Sequence, residues 1–173
     1  MTSTPNQSFP QSDLEARLEN WPPLVKQDYL TRLGDKLDKA EADTANPDAW
    51  VTLYFEYEPL VIKRALSTNI PKVKITNITE YWRVFYLWVA AHDRAKAIDA
   101  EIEAGNTDKR SMRRAADLKA QHAVAERDQH IYGEAINVWQ DKRKAEKAKA
   151  ISIAKARRAR VRALVKSIIE GAS

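Results

Sequence analysis

The sequence predicts an all-α protein, with a small helical domain followed by a long C-terminal helix. Three observations carry that reading. All seven prolines lie at or before Pro71 in a chain of 173 residues, so the last 102 hold none. Glycine occurs only at Gly34, Gly105, Gly133 and Gly171. Apolar residues recur at helical spacing, and no two neighbouring segments alternate as paired strands would.

Residues 1–11 are polar, carry Pro5 and Pro10, and are expected to form a disordered arm. Ser12 with Glu15 forms a capping box, which predicts a short helix to about Asn20. Pro22 and Pro23 end it. A second helix is predicted from about Pro23 to Ala42, with Leu24, Tyr29, Leu30, Leu33 and Leu37 as its apolar stripe. Gly34 inside that stripe costs about 1 kcal/mol relative to Ala.

Asn46-Pro47 reads as a helix start, with Asn as N-cap and Pro in the first helical position. The third helix then carries Trp50, Leu53, Tyr54, Tyr57, Leu60 and Val61. Pro59 should kink or split it. Residues 72–78 are β-branched and alternate weakly, but no second segment offers a partner strand. A lone strand leaves its ladder groups unpaired, so an extended connector is predicted.

A fourth helix is expected from about Thr79 to Ala104, closed by Ala104-Gly105-Asn106 as an αL stop. Thr107 or Asp108 is the expected cap of the last element. From there to Ile169 only Gly133 interrupts helical composition. This predicts one helix of about 60 residues, or two hinged near Gly133. Val124, Ile131, Val138 and Ala145 recur every seven residues, beside Tyr132, Ile136 and Trp139. That spacing reads either as a short coiled-coil seam or as packing within the chain. The domain division is therefore an arm over 1–11, a helical domain over 12–140 and a basic helical extension over 141–173.

The formal net charge of +5 hides an asymmetry. Residues 1–62 hold 11 acids and 5 bases, whereas residues 141–173 hold 3 acids and 11 bases. The basic positions are Lys142, Arg143, Lys144, Lys147, Lys149, Lys155, Arg157, Arg158, Arg160, Arg162 and Lys166. Such cation density suits a phosphate backbone, because each phosphate neutralised releases counterions. These residues are the candidate nucleic-acid contacts. The segment is also amphipathic at 100° per residue: Ile153, Ala154, Val161, Leu164, Val165, Ile168 and Ile169 share an arc on which Arg157 and Arg158 intrude. A second reading pairs its cations with the acidic head of a neighbouring subunit, in a homo-oligomer able to close a ring. A third places it on an anionic membrane surface; the intruding arginines and the lack of a bulky aromatic edge argue against that.

Other chemistries find little support. With no Cys there is no disulfide scaffold, thiolate zinc site or cysteine nucleophile. The isolated glycines exclude G-x-G-x-x-G and the P-loop. The residues three before His92, His122 and His130 are Val89, Lys119 and Arg127, so E-x-x-H is absent. Glu126 and His130 are spaced to pair. Glu56 and Glu58 flank Tyr57 and should point to different sides, which makes a poor acid–base pair. Asn77-Ile78-Thr79 matches a glycosylation sequon. Trp50, Tyr54 and Tyr57 on one helix, and Tyr81, Trp82, Phe85, Tyr86 and Trp88 on the next, read as one packed aromatic core rather than a stacking surface.

The expectation is a protein without catalytic residues, metal, cofactor or small-molecule substrate. Its opening residues show no basic or apolar signal region, and no run reaches the length of a spanning helix. An intracellular, cytoplasmic location or one within a viral particle follows as an expectation. Taken by layout alone (polar arm, helical domain, long helix, basic tail), the chain resembles small helical oligomers of viral particles. DNA-packaging small terminase subunits and head–tail adaptors are examples. The resemblance covers no motif and transfers no residue. It implies a nucleic-acid contact, which the acidic segment Asp43–Asp48 between the helices of residues 24–66 would repel, leaving the tail. The alternative is a structural adaptor whose long helix docks on neighbouring subunits or on a partner protein.

Overall fold

A computed structural model describes residues 20–46, 48–105 and 111–171. The expected arm, the helix expected from Ser12 and the caps expected at Thr107 or Asp108 lie outside these residues. Four helices are present among them: α1 (Pro23–Ala42), α2 (Ala49–Ser67), α3 (Ile78–Gly105) and α4 (Met112–Gly171). No strand occurs among the described residues, and residues 70–76 are irregular chain, as predicted for the connector. The all-α class and the long C-terminal helix are therefore as read from the sequence.

Several boundaries differ. The α2 helix starts at Ala49, later than Asn46-Pro47. Asp43 accepts the Ala45 N–H at 2.9 Å, which curls the loop, and Ala49 N–H donates to the Asn46 carbonyl at 3.2 Å. The chain thus makes a turn before the helix takes over. Pro59 lies inside α2 without splitting it. Its neighbours Tyr57 and Leu60 are both buried, and their packing holds the helix where one backbone donor is missing. The α3 helix ends on Gly105, and the stop expected over Ala104-Gly105-Asn106 runs outside the described residues.

The described residues divide into two compact units, one within 1–71 and 89–129, the other within 72–88 and 130–173. In the first, Leu30, Leu33 and Leu37 of α1 meet Tyr57 and Leu60 of α2 and Ala116 of α4. The partly buried Tyr29, Trp50, Leu53, Tyr54, Val61 and Met112 surround them. Each fully buried Leu contributes about 1.5–3 kcal/mol by removal from water. On α3, Ala91, Ala95 and Ile98 are buried at helical spacing. Polar contacts fix the same helices. Arg113 of α4 reaches Asp35 at 3.0 Å and Asp38 at 2.8 Å on α1. Lys119 donates to Glu58 at 2.9 Å and to the Tyr54 hydroxyl at 3.0 Å. Tyr57 donates to Asp117 at 3.2 Å, and Tyr29 donates to Glu56. Glu56 and Glu58 therefore serve opposite helices, as their spacing predicts.

Two termini are closed by side chains that the sequence reading passed over. Ser111 Oγ accepts the Arg114 N–H at 3.2 Å, and Glu41 of α1 accepts the Met112 N–H at 2.9 Å. Ser111 thus caps the last helix as described. At the start of α3, Asn77 Oδ1 accepts the Glu80 N–H at 2.9 Å, while Glu80 accepts the Thr76 N–H and hydroxyl at 2.6 Å each. This reciprocal box satisfies donors that have no partner within the helix. It also gives Asn77 of the sequon a structural task.

In the second unit Val84 of α3 and Ile136 of α4 are buried. Tyr81 stacks on Trp139 with centroids 4.5 Å apart and planes at 29°, and Gln140 donates to the Tyr81 hydroxyl at 3.0 Å. The α4 helix runs unbroken through Gly133, so the two-helix alternative is not observed. Gly133 is a seat instead: a Cβ there would lie 3.3 Å from the Trp88 indole nitrogen. Along the seven-residue stripe, Val124 and Ile131 are half-buried, whereas Val138 and Ala145 are exposed.

Candidate nucleic-acid interface

The candidate contacts are placed by helix propensity and not by packing. Beyond Gln140, α4 is rich in Ala, Lys and Arg, all strong helix formers. A few ion pairs at helical spacing reinforce it: Lys144 with Asp141 at 3.2 Å, Arg143 with Glu146 at 3.7 Å and Lys166 with Glu170 at 3.6 Å. Surface pairs of this kind contribute little each. Every residue from 141 to 168 is exposed.

All eleven predicted cations therefore stand in solvent on one helix. Three of them, Arg143, Lys144 and Lys166, have a carboxylate neighbour. Lys142, Lys147, Lys149, Lys155, Arg157, Arg158, Arg160 and Arg162 have none among the described residues. At 100° per residue the cations occupy most of the helix circumference. The strip without them carries Ala145, Ser152, Ala156, Ala159 and Ala163. The apolar arc read from the sequence is also uncovered: Ile153, Val161, Leu164, Val165 and Ile168 are all exposed.

Charge separates by unit as well as by chain end. Residues 72–88 and 130–173 together hold 14 bases and 5 acids, net +9. The remainder holds 15 bases and 19 acids, net −4. Lys72, Lys74 and Arg83 add exposed cations to the basic unit, away from the tail in sequence.

The aromatic residues depart from the expected single core. Trp50, Tyr54 and Tyr57 belong to the first unit, and the aromatics of α3 from Tyr81 to Trp88 belong to the second. Tyr81, Phe85 and Trp88 are half-buried, but Trp82 and Tyr86 are 49% and 68% exposed. Arg143 lies over the Trp139 ring, 5.7 Å from its centroid. The sequence carries only part of the signal for this exposed edge. Ile78, Trp82 and Tyr86 fall on one line at four-residue steps, with Thr79 and Arg83 on one side of it and Phe85 and Val89 on the other.

The histidines assemble no centre. His122 lies 3.0 Å from Asp99 and 3.6 Å from Glu126, while His130 lies 3.3 Å from Glu134. Glu126 thus pairs with His122, not with His130 as its spacing had suggested. Gln129 lies 3.2 Å from His92. No group of His, Asp or Glu among the described residues is arranged to hold a metal ion, and no described helix is long and apolar enough to cross a membrane. No family model, curated protein or solved structure matches the chain.

Proposed function

We propose that this protein binds nucleic acid through the phosphate backbone, using the basic helix from Lys142 to Lys166, without catalysing a reaction. The observation that carries the proposal is the set of eight exposed cations that have no carboxylate partner among the described residues. Holding so many like charges on one helix costs self-repulsion, which a polyanion relieves while releasing counterions. Cations on nearly every side of the helix suit a chain that follows or wraps it. A flat anionic membrane would meet only one side, and there the apolar arc is interrupted by arginine.

A second reading is favoured by one observation, the exposed Ile153, Val161, Leu164, Val165 and Ile168. In that reading the helix docks in an oligomer or on an acidic partner, and the adaptor role suggested by the layout follows.

Electrophoretic mobility shift across a salt series, with full-length protein and a variant lacking residues 141–173, tests the proposal. With roughly five phosphates neutralised on duplex DNA, the logarithm of affinity falls against that of salt with a slope of about −4.5. The truncated protein is expected to lose binding. Equal binding by both proteins ends the proposal. Native mass on the same samples decides the second reading, since a species of 19.7 kDa that keeps its mass at all concentrations excludes self-assembly.

A further inference from the structure

Trp82 and Tyr86 stand out on the second unit because, among the described residues, they are 49% and 68% exposed. Their ring centroids are 6.5 Å apart and their planes differ by 37°. The rings beneath hold them in place. Trp82 meets Phe85 edge-on at 5.7 Å and Tyr81 at 5.3 Å, and Tyr86 meets Phe85 at 6.2 Å. Tyr81 in turn stacks on Trp139, over which Arg143 lies. A continuous set of ring contacts therefore links the exposed pair to the first cations of the basic helix.

We propose that Trp82 and Tyr86 are a base-stacking platform for single-stranded nucleic acid. The strand's phosphates are taken by Arg143, Arg83 and the neighbouring cations of the same unit. This deepens the preceding proposal and rests on it. The choice of occupant follows from charge. The unit carrying the platform has net charge +9, so a second copy presenting the same face is repelled. A polyanion with planar apolar faces satisfies both features at once. In a duplex those faces are occupied by neighbouring bases, whereas a single strand offers them to aromatic side chains. Stacking needs no particular base, so the platform is expected to tolerate sequence.

The test is fluorescence anisotropy with a labelled 20-nucleotide thymidine oligomer and a 20-base-pair duplex, at fixed salt, using full-length protein. Trp82→Ala and Tyr86→Ala are each expected to weaken single-strand binding about tenfold. Duplex binding and the salt slope should stay unchanged. Trp82→Phe and Tyr86→Phe should restore most of the loss, which a role in charge or folding would not predict. Circular dichroism confirms that the variants fold. If both alanine variants bind the oligomer as the parent does, the platform is refuted while phosphate binding by the tail stands. If neither nucleic acid binds the parent protein, both proposals fall. If the alanine variants instead lower the native mass, the face is an interface between copies and the platform is refuted.

Discussion

Arg127 of α4 donates to the Leu66 carbonyl at 2.7 Å, at the C-terminal end of α2. The same guanidinium reaches the Thr68 carbonyl at 2.9 Å and the Asn69 carbonyl at 3.4 Å, while Asp128 accepts from it at 2.6 Å. The last carbonyls of a helix have no partner within it, and they carry the negative end of its dipole. A planar fork with several donors meets that need better than an ammonium does. Asn69, held here at φ 49°, lies in the left-handed region that Asn tolerates better than most residues. Arg127→Ala is expected to cost about 1.5–3 kcal/mol, the range for hydrogen bonds to a charged group. Arg127→Lys should recover less than half of that. Urea unfolding of the three proteins measures it, and full recovery by Lys would show that charge alone matters.

Gly34 gives the second prediction. Its place in mid-helix is unfavourable by propensity, yet a Cβ there would come 2.9 Å from the Arg113 guanidinium. That group is held by Asp35 and Asp38, so it does not swing aside freely. Gly34→Ala in an Arg113→Ala background should raise stability by about 1 kcal/mol, the propensity gain alone. In the parent protein the same change should gain at least about 0.5 kcal/mol less, which is the size of coupling expected for residues in contact. Equal effects in the two backgrounds would remove Arg113 as the reason for the glycine.

Helix identity was legible because it rests on local chemistry. Pro23 to Ala42 matches its predicted bounds, since a proline pair starts it and an apolar stripe runs through it. Ends and environments were less legible. Ser111 is completed as a cap by Glu41, 71 positions away in sequence as Met112 counts it, and no local pattern announces such a partner. The sequence allows both an unbroken helix and a hinge at Gly133, because helix propensity sees only the missing side chain, whereas Trp88 uses the space. The basic tail was fully legible, its charges being independent of packing. Trp82 and Tyr86 were not, because an aromatic at helical spacing has the same pattern whether a neighbour covers it or not. Their line has Thr79 and Arg83 on one side but Phe85 and Val89 on the other.

Alkaline stability follows from Tyr29. Burial, together with its hydrogen bond to the Glu56 carboxylate, pushes its hydroxyl from 10.0 up to about 12. Burial also raises the Tyr54 and Tyr57 hydroxyls, and the Lys119 ammonium is raised by its bonds to Tyr54 and Glu58. A group whose protonated form is favoured on folding lends stability that is complete below its unfolded value. That stability is lost as pH rises through the folded one. The protein should therefore lose stability from about pH 10 toward pH 12, and Tyr29→Phe should flatten that fall. Tyrosinate absorbance gives a direct check. One late-titrating hydroxyl should vanish from the curve of Tyr29→Phe, and an unchanged curve would contradict the assignment.

Glu80 acts at the other end of the scale. Its bonds from the Thr76 hydroxyl and N–H hold its carboxyl below the ordinary 4.5. A lowered value means stability that is present above 4.5 and lost as pH falls through the folded value. Glu80 is half-buried and its bonds among the described residues run to Thr76 and Asn77, so the effect is local to the first turn of α3. The protection of the Thr76 amide against hydrogen exchange, relative to its intrinsic rate, should fall as pH drops below about 4.5, and Glu80→Gln should lack that fall. The same fall in the variant would assign it to another group.

The tail makes the last prediction, because it separates helix content from stability. No described side chain from 141 to 168 is buried, so its removal takes little packing from the fold beyond the Arg143 contact on Trp139. Deleting residues 141–173 should leave the unfolding free energy from urea titration within about 0.5 kcal/mol of the parent, the range of surface changes away from packed features. Far-ultraviolet dichroism should nevertheless drop substantially, since about half of α4 is gone. Salt should distinguish two origins of the tail's own helicity. If like-charge repulsion strains it, added salt will raise the helix signal of the full chain and leave that of the truncated one unchanged. If the unfolding free energy falls by several kcal/mol on deletion, the apolar arc around Val161 and Leu164 is covered in solution by a second copy, and that copy supports the fold.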